Sequence, residues 1–385
     1  MQNTTPPPAR LLALDGLRAL AILLVLGRHL PDQTVAAMPG AWHGFFATWQ
    51  RGGWIGVDLF FVLSGFLVSG LLFREHQRFR EIRVGHFLAR RGFKIYPPFF
   101  AMLAIVIGIS MWNGRPFPPV KLLLPEVLFF QNYSPAIFPH AWSLAVEEHF
   151  YLALPLVLLA LGRGKGQPFA RLPLVALFVA LGALALRRVV ADEPFSFRTH
   201  LFPTHLRIDS LFFGVFLAWL WHFRREALEP FLERWRWPLG VAAVALAAPA
   251  FLLDLGGSAY LHTWGFTGLY VSAGIVLLLA LRRPLVWRPL AFMGAYSYSI
   301  YLWHMPIRLY LASWGPRDWP PLAQAGLFFA LSVVIGIVAA WIVERPFLAL
   351  RDRLLPTRSR PLAAAAPTAT PSPDFASEGL VTQGR

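Results

Sequence analysis

Long apolar runs recur along the chain and are separated by charged or proline-rich segments. Ten of them approach the length of about 20 residues that a helix needs to cross the hydrocarbon core of a bilayer. The runs lie at residues 11–30, 54–73, 97–112, 144–161, 172–186, 208–223, 237–253, 266–281, 290–311 and 322–343. The fifth, seventh and eighth are short, so the count is uncertain by about one. The pattern predicts an all-α, polytopic membrane protein with about ten transmembrane helices.

The same pattern predicts the domain organisation. We expect a transmembrane domain at residues 1–347 and a cytoplasmic C-terminal tail at 348–385. The tail should be disordered from about residue 363, because it is rich in Pro, Ala, Ser and Thr without apolar periodicity. The segment Leu122–Phe130 is too short to cross and predicts an interfacial or re-entrant piece of a loop.

The basic residues predict the orientation, because cytoplasmic loops retain Lys and Arg. With the N-terminus inside, the inner segments hold 24 basic residues, the outer loops nine, and the first span the remaining two. Both termini are therefore expected to be cytoplasmic. The first apolar segment could also be read as a cleaved signal peptide, but Asp15, Arg18, Arg28 and His29 crowd its core, which favours a transmembrane helix.

Composition excludes several other classes of protein. The chain is 56% hydrophobic and 14% charged, which is incompatible with an ordinary soluble fold. It has no cysteine, so thiol nucleophiles, thiolate zinc sites and iron–sulfur clusters are excluded, and we expect no metal. The net charge of +15 is spread among apolar runs without a nucleic-acid motif, so no nucleic acid is expected as a partner.

Charged groups inside membrane spans are costly and therefore suggest function. Arg18 and His29 are eleven residues apart, which is about 20° beyond three helical turns and predicts that they share one face of the first helix. Taken alone, Arg18 could equally extend to lipid headgroups and His29 could be an interfacial histidine.

Other polar residues are predicted at the depth of His29. Asp58 begins the second span, Glu147 and Glu148 the fourth, and Asp209 follows Arg207 at the start of the sixth, while His304 falls in the outer half of the ninth. A carboxylate at the start of a helix is more often there because it interacts favourably with the helix dipole than because it is catalytic. On the cytoplasmic side, a basic cluster could bind a polyphosphate or could simply reflect membrane orientation; it comprises Arg74, Arg78, Arg80, Arg83, Arg90, Arg91 and Lys94.

Several motifs in these segments resemble the acyltransferase family 3 of membrane proteins. They are Leu14-Asp-Gly-Leu-Arg-Ala-Leu-Ala-Ile with Arg28-His29, Gly56-Val-Asp-Leu-Phe-Phe-Val-Leu-Ser-Gly-Phe-Leu67, Phe87-Leu-Ala-Arg-Arg-Gly-Phe-Lys-Ile-Tyr-Pro97, Trp142-Ser-Leu-Ala-Val-Glu-Glu-His-Phe-Tyr151, Tyr296-Ser-Tyr-Ser-Ile-Tyr-Leu-Trp-His304 and Val343-Glu-Arg-Pro-Phe347. They follow the family's order from residue 11 to residue 347.

The resemblance implies a ten-helix enzyme that transfers an acyl group, commonly acetyl, from cytoplasmic acyl-CoA to a hydroxyl of an extracytoplasmic glycan. It implies that His29 is the catalytic base, that Arg18 helps to hold the donor, and that Arg90 and Arg91 contact coenzyme A. Lys94 stands where the family usually has a third arginine, which keeps the charge but loses the bidentate fork. The resemblance also implies a stand-alone form without an appended hydrolase-like domain.

The residues and the resemblance together suggest a mechanism. His29 would deprotonate the acceptor hydroxyl, and Glu147, Glu148 or Asp58 would orient the imidazole, with Glu147 favoured. Direct transfer and an acyl-histidine intermediate both remain open.

The partners and the location follow from that mechanism. The expected partners are acyl-CoA, a glycan or glycolipid acceptor and membrane lipid, and a homo-oligomer is compatible. The composition, together with the lack of a mitochondrial-type leader, suits a bacterial inner membrane. The alternatives are a secondary transporter or lipid-linked glycan flippase, in which buried charges form a pathway, and a polytopic receptor without chemistry.

Overall fold

The computed structural model describes residues 9–162, 167–282 and 287–357. Within these ranges every regular element is helical. The prediction of an all-α protein is confirmed. The disorder expected from about residue 363 lies outside the described residues.

Sixteen α-helices follow one another along the described chain. The first eight are α1 (Ala9–Arg28), α2 (Asp32–Ala36), α3 (Ala41–Gly52), α4 (Gly56–Phe79), α5 (Val84–Trp112), α6 (Val120–Val127), α7 (Trp142–Gly162) and α8 (Leu172–Val190). The second eight are α9 (Ile208–Phe223), α10 (Arg225–Arg234), α11 (Arg236–Leu252), α12 (Phe266–Arg282), α13 (Arg288–Ala295), α14 (Ser297–Trp314), α15 (Pro321–Ala339) and α16 (Arg345–Leu354). Short 3-10 or π-helical segments join them at Gly53–Ile55, Pro139–Ala141, Phe197–Leu201, Thr204–Leu206, Leu261–Gly265 and Ala340–Glu344.

Each of the ten predicted apolar runs coincides with one of these helices, with one break. The ninth run, residues 290–311, was predicted as one span but is divided between α13 and α14. The backbone leaves the helix at Tyr296, where φ is −103° and ψ is 8°. The physical reason is packing, because α13 contacts α1 extensively and Gly294 leaves no room for a side chain beside the carbonyl of Asp15.

Six helical segments of the described chain are long and apolar enough to cross a membrane. They are Ala41–Phe79, Val84–Trp112, Pro139–Gly162, Leu172–Val190, Leu261–Arg282 and Pro321–Leu354. A seventh is added if α10 and α11, which are bent by 82°, form one span. α1 carries Asp15, Arg18 and Arg28, and α9 has only 16 residues. The chain is therefore a polytopic membrane protein, while a count of about ten spans and cytoplasmic termini remain predictions.

The outer surface of the bundle is apolar, as an integral membrane protein requires. On α8, Phe178 and Val189 expose more than three quarters of their surface, and Ile342 is similarly exposed near the end of the chain. In water such side chains would form an unfavourable patch, but against lipid tails they are at no disadvantage. These side chains therefore mark the lipid-facing surface.

The core of the bundle is formed by α1, α4 and α9. α4 and α9 make the most extensive helix–helix contact in the described chain. Gly65 and Gly214 lie at their crossing, and a Cβ on Gly65 would come within 2.0 Å of the Leu211 carbonyl oxygen. Small residues let two backbones approach in this way. α1 packs against α4 on one side and against α13 and α14 on the other.

Four further helices were not predicted, namely α2, α3, α10 and α16. α3 is an amphipathic helix between the first two predicted spans, and the carbonyl of its Gln50 accepts from Arg28. α16 crosses the boundary expected at residue 347 and packs against α5.

Candidate active site

His29 lies one residue beyond the C-terminal end of α1. Its Nδ1 is 3.0 Å from the carbonyl oxygen of Val25 and 3.2 Å from Nε2 of His304. The centroids of the two imidazole rings are 4.8 Å apart. α1 and α14 thus bring together two histidines that are far apart in the sequence.

The partners of these rings determine which nitrogen carries the proton. A carbonyl oxygen can only accept, so His29 Nδ1 donates to Val25, and His304 Nδ1 donates to the carbonyl of Tyr301 at 2.5 Å. In the neutral ring, His304 Nε2 is then a second acceptor for the Nδ1 proton of His29. His29 Nε2 keeps its lone pair, and no described residue hydrogen-bonds to it. This is the state that a general base requires.

A third histidine, His140, completes the cluster. Its ring centroid is 5.3 Å from that of His304, and its buried Nε2 has no partner among the described residues. The Tyr301 hydroxyl donates to the carbonyl of His140 at 2.5 Å. Because that uses its one proton, Tyr301 accepts from Ser143 across 2.7 Å. The backbone of His140 is therefore fixed against α14.

The loop before His140 is anchored by a buried carboxyl group. Glu126 of α6 accepts a hydrogen bond of 2.6 Å from the backbone N–H of Phe138. Burial raises the pKa of Glu126 to about 7, so this carboxyl group exchanges its proton near neutral pH. The segment that carries His140 is held from both sides, by Glu126 and by Tyr301.

A cavity of about 320 Å³ opens against His29, and we call it the histidine cavity. His29, His140 and Tyr301 line it. The rest of its wall includes aromatic rings and guanidinium groups, notably Trp54, Trp142, Phe202, Arg28, Arg207 and Arg308. Apolar walls with a few placed polar groups are typical of a small-molecule site. A substrate in this cavity would meet the free Nε2 of His29.

Asp58, one of the predicted carboxylates, lies in a buried ion pair. Its Oδ1 accepts from Arg207 Nη2 at 2.5 Å, and both side chains are almost fully buried. A second buried pair of 2.8 Å joins Arg187 to Asp209. Asp58 therefore balances the charge of a cavity-wall arginine and does not contact His29.

Glu147 and Glu148 also have partners other than His29. Glu147 Oε2 accepts from the Tyr151 hydroxyl at 2.7 Å, and Glu148 Oε2 accepts from the Tyr96 hydroxyl at 2.9 Å. The expectation that a carboxylate orients His29 does not match this geometry, because His304 and Val25 hold the ring. Any part that these glutamates play in the chemistry stays a prediction.

A second cavity, of about 240 Å³, lies between the end of α4, the start of α5 and α16. We call it the basic cavity, because Arg90, Arg91, Lys94 and Arg351 line it. The predicted coenzyme A residues are thus brought together around one space. A phosphate group is what such a charge distribution favours.

The positively charged side chains of the basic cavity differ in how many hydrogen bonds and ion pairs they form. Arg90 donates to Asp352 at 3.0 Å and also to Thr357 and the carbonyl of Leu355. Lys94 is paired with Glu344. Arg91 lies 5.4 Å above the ring centroid of Tyr151 and forms no ion pair with a described residue.

Arg18 belongs to this second region rather than to the surroundings of His29. It pairs with Asp15 at 2.5 Å and lies within electrostatic range of Arg91 and Lys94. The role of Arg18 at the donor stays a prediction.

The two cavities lie at opposite ends of α4. Val57 lines the histidine cavity, and Leu72, fifteen residues later in the same helix, lines the basic cavity. That separation corresponds to about 22 Å along the helix axis.

Polar side chains occupy the interior between the cavities. The Tyr151 hydroxyl is 2.6 Å from Ser64 Oγ, and Ser143 lies one helical turn from Glu147 on α7. We call this set the polar column; from the basic to the histidine cavity it comprises Arg91, Tyr151, Ser64, Glu147, Ser143 and Tyr301. It passes beside the apolar core of the bundle.

Sequence reasoning identified His29 and the basic residues but missed their neighbours. His140 was not singled out, and His304 was noted only for its depth. Arg28 and Arg308 were counted only as charges. One signal was available for Arg308, because it lies four residues after His304 and so shares a helix face with it. In the part of the chain that the structure describes, no three or more His, Cys, Asp or Glu side chains are arranged so that they could hold a metal ion, and this includes the three clustered histidines.

Comparison with known proteins agrees with this arrangement. The profile of acyltransferase family 3, described as an acyltransferase domain, matches residues 11–343. The chain belongs to this family. The resemblance drawn from the motifs is thereby confirmed, and no solved structure matches the chain significantly.

Two relatives show how far the similarity extends. The chain is similar to the O-acetyltransferase OatA of Staphylococcus aureus (strain NCTC 8325 / PS 47), at 24% identity over 88% of this chain and 57% of the relative. It is also similar to the peptidoglycan O-acetyltransferase OatA of Listeria monocytogenes serovar 1/2a (strain ATCC BAA-679 / EGD-e), at 26% identity over 87% of this chain and 55% of the relative. This family member therefore spans little more than half the length of these curated relatives.

Proposed function

We propose that the protein is a membrane-bound O-acyltransferase that moves an acyl group, most simply acetyl, from acyl-CoA to a hydroxyl of an extracytoplasmic carbohydrate. Family membership supports acyl transfer, and the names of the relatives support O-acetylation of a glycan such as peptidoglycan. The observation that carries the proposal is the placement of His29, which lines an aromatic cavity while Val25 and His304 hold its ring through Nδ1.

The donor end is the basic cavity, on the cytoplasmic side. Coenzyme A carries several phosphate oxygens, and arginine side chains bind them with charge-assisted hydrogen bonds. Arg91 is the best placed of the predicted donor residues because it has no ion-pair partner among the described residues. Arg90 and Lys94 would first have to leave Asp352 and Glu344.

The acceptor end is the histidine cavity, on the outer side. Aromatic rings such as Trp142 and Phe202, stacked at 5.2 Å, offer flat apolar surfaces on which the hydrophobic face of a sugar ring can pack. The volume of about 320 Å³ suits one sugar residue better than a long polymer segment. A chain end or a small glycan is therefore the expected acceptor.

The chemistry follows from the proton positions. The acceptor hydroxyl gives its proton to His29 Nε2 while its oxygen bonds to the thioester carbonyl carbon. The carbon–sulfur bond then breaks, and the leaving thiolate of coenzyme A takes the proton from His29 Nε2, which returns the imidazole to its neutral state. His304 and Val25 accept from Nδ1 throughout and stabilise the imidazolium that forms. The polar column offers the route along which the acyl end of the donor approaches His29.

We place the protein in a bacterial inner membrane with about ten spans and both termini in the cytoplasm. The excess of basic residues in the predicted inner loops supports this orientation. It puts Arg90 and Arg91 where acyl-CoA is found and His29 where surface glycans are found.

The test is acyl transfer by the purified protein reconstituted in vesicles with acetyl-CoA and a glycan acceptor. Free coenzyme A should appear in step with acetylated acceptor, and His29→Ala should lower turnover by about 10²- to 10⁴-fold. His43→Ala is the matched control, because His43 is exposed in α3. A transporter or flippase would move the glycan without consuming the donor, and that result would reject the proposal.

A further inference from the structure

The histidine cavity has an unusual excess of positive charge for an interior wall. Three guanidinium groups line it, those of Arg28, Arg207 and Arg308, against a single carboxylate, Asp32. None of the three has an assigned role in acyl transfer. Their spare hydrogen-bonding capacity indicates what kind of acceptor the cavity holds.

Arg207 forms the inner part of this wall. It is fully buried and lies 3.9 Å above the ring centroid of Phe266. Its Nη2 donates to Asp58, whereas its Nε and Nη1 have no partner among the described residues. Buried N–H groups of a charged side chain are rarely left without an acceptor, because each such group costs free energy.

Arg308 forms the side nearest His29. It lies one turn of α14 beyond His304, and its buried Nε has no hydrogen-bond partner in the described chain. Its one salt-bridge partner among the described residues, Asp32, is 3.4 Å from its Nη2 and has a side chain that is 85% exposed. An ion pair that long and that exposed contributes little, so most of the charge of Arg308 is available to a ligand.

Arg28 also lines the histidine cavity, and it directly precedes His29 in the sequence. Its Nη1 donates to the carbonyl of Gln50 at 3.1 Å, and the carboxylates of Asp32 and Asp254 act on its charge without forming a salt bridge with it in the described chain. The charges of Arg28 and Arg308 act on each other and on His29. Two cations therefore flank the base, and an anion between them would relieve their repulsion.

We infer that the histidine cavity selects an acidic acceptor, a sugar that carries a carboxylate or phosphate group beside the hydroxyl to be acylated. The oxyanion binds Arg308 and Arg28, with the free N–H groups of Arg207 behind them. The sugar ring packs on the aromatic wall, and the neighbouring hydroxyl meets His29 Nε2. This inference rests on the proposed function and adds the class of acceptor to it.

The test compares acidic sugars with neutral analogues of the same shape. Binding of N-acetylmuramic acid and methyl glucuronide is measured by calorimetry on the protein in lipid nanodiscs, beside the amide of each acid. Glucose 6-phosphate beside glucose shows whether phosphate replaces carboxylate. The protein should bind the acid, or the phosphate, about tenfold to a hundredfold more tightly than the neutral partner.

The variants Arg308→Gln and Arg28→Gln should each reduce this preference by about tenfold. Arg188→Gln is the matched control, because Arg188 is exposed at the end of α8 and does not line the cavity. The inference would be overturned if each acid bound with the same affinity as its amide and glucose 6-phosphate bound with the same affinity as glucose. A preference that survives both cavity variants would also overturn it.

Transfer of acetyl from acetyl-CoA to the same sugars separates this inference from the proposed function. If neutral sugars are acylated as well as acidic ones, the enzyme activity stands and the acidic specificity fails. If acids bind selectively but no sugar is acylated and no coenzyme A is released, the anion site stands and the acyltransferase proposal fails.

Discussion

At the scale of single residues, the two nitrogens of His29 have separate tasks. Nδ1 holds the ring, because it donates to Val25 and His304, and in the proposed mechanism Nε2 takes the proton of the substrate. In hydrolytic triads a carboxylate does the holding. Here a neutral imidazole and a backbone carbonyl take that place, so no buried negative charge lies against the base.

This arrangement makes His304 a positioning residue. His304→Leu should lower kcat by about tenfold to a hundredfold, because Val25 alone leaves the ring of His29 less constrained and its cation less stabilised. His304→Gln should recover part of the loss, since an amide oxygen can accept from Nδ1. Both variants should shift the pH dependence of kcat, while the KM for acyl-CoA stays close to that of the unmodified protein.

Steady-state kinetics between pH 5 and pH 9 would check this prediction. His200→Leu is a suitable control, because that buried histidine contacts His262 and Val190 and not the cluster. If His304→Leu and His200→Leu lost activity to the same degree with unchanged pH profiles, the effect of His304 would be structural.

The residue scale also shows where sequence reasoning stops. His29 and the paired arginines stand in recognisable motifs, so their importance could be predicted. The partners of Asp58 and Glu147 could not, because Arg207 reaches Asp58 from another helix, 149 residues away in sequence. Tyr151 lies one turn from Glu147, but spacing alone does not say that its hydroxyl turns towards the carboxylate.

At the scale of helices, the long apolar runs of the sequence predicted helices reliably, whereas the helices of mixed polar and apolar residues were missed. The long runs became helices because their backbone groups must hydrogen-bond internally in lipid. The break at Tyr296 went unpredicted because it depends on how α13 packs against α1. α3 and α16 were missed because their amphipathic faces match no transmembrane pattern.

Close approach between α4 and α9 depends on Gly65 and Gly214. Alanine at either position would place a methyl group about 2 Å from a backbone carbonyl oxygen of the facing helix. Each substitution should therefore destabilise the protein by about 1 to 3 kcal/mol, as overpacking of a core does. The double variant should cost less than the sum, because both changes separate the same pair of helices.

Thermal unfolding in detergent would measure these costs. Gly182→Ala in α8 is the matched control, because a Cβ there meets nothing within 4 Å. Its apparent Tm should stay level or rise slightly, since alanine is the better helix former. Unchanged Tm values for Gly65→Ala and Gly214→Ala would show that the crossing is looser than described.

The contact between α5 and α16 suggests a second prediction for helices. Arg90 is occupied by Asp352, whereas Arg91 is free of ion pairs in the described chain. Arg91→Gln should raise the KM for acyl-CoA by about tenfold to a hundredfold, and Arg90→Gln should raise it less. Asp352→Asn should lower that KM, because it releases Arg90 for the donor.

Steady-state kinetics in which the concentrations of donor and acceptor are varied separately would test these predicted changes in KM. The acceptor KM should hardly change in any of the three variants, because the histidine cavity is at the other end of α4. An Arg91→Gln protein that was weakened only towards the acceptor would contradict the assignment of the basic cavity to the donor.

At the scale of the whole molecule, the proposed mechanism divides one reaction between the two cavities. α4 connects them, with Val57 at one cavity and Leu72 at the other, and the polar column follows the same direction through the bundle. Sequence reasoning predicted the division from charge and depth. It could not predict the column, because the contacts between its serines and tyrosines arise only when α4, α7 and α14 pack.

The division predicts that the enzyme works from one side only. In vesicles of uniform orientation, acetyl-CoA should support transfer only when it is supplied to the face that carries Arg90 and Arg91, with acceptor on the face that carries His29. Coenzyme A is too polar to cross the bilayer, so donor on the wrong face cannot reach the basic cavity. Free coenzyme A should accumulate on the donor face and acetylated sugar on the acceptor face.

A protease site placed after residue 357 and labelling at Arg51→Cys would report the orientation, since the chain has no cysteine of its own and Arg51 is exposed in α3 beside the histidine cavity. Arg91→Gln serves as the donor-side control and His29→Ala as the inactive one. Transfer at equal rates from either face, in sealed vesicles with a single orientation, would mean that both substrates enter from the same side. The two cavities, about 22 Å apart along α4, would then not hold donor and acceptor on different faces, and both substrates would have to share one entrance.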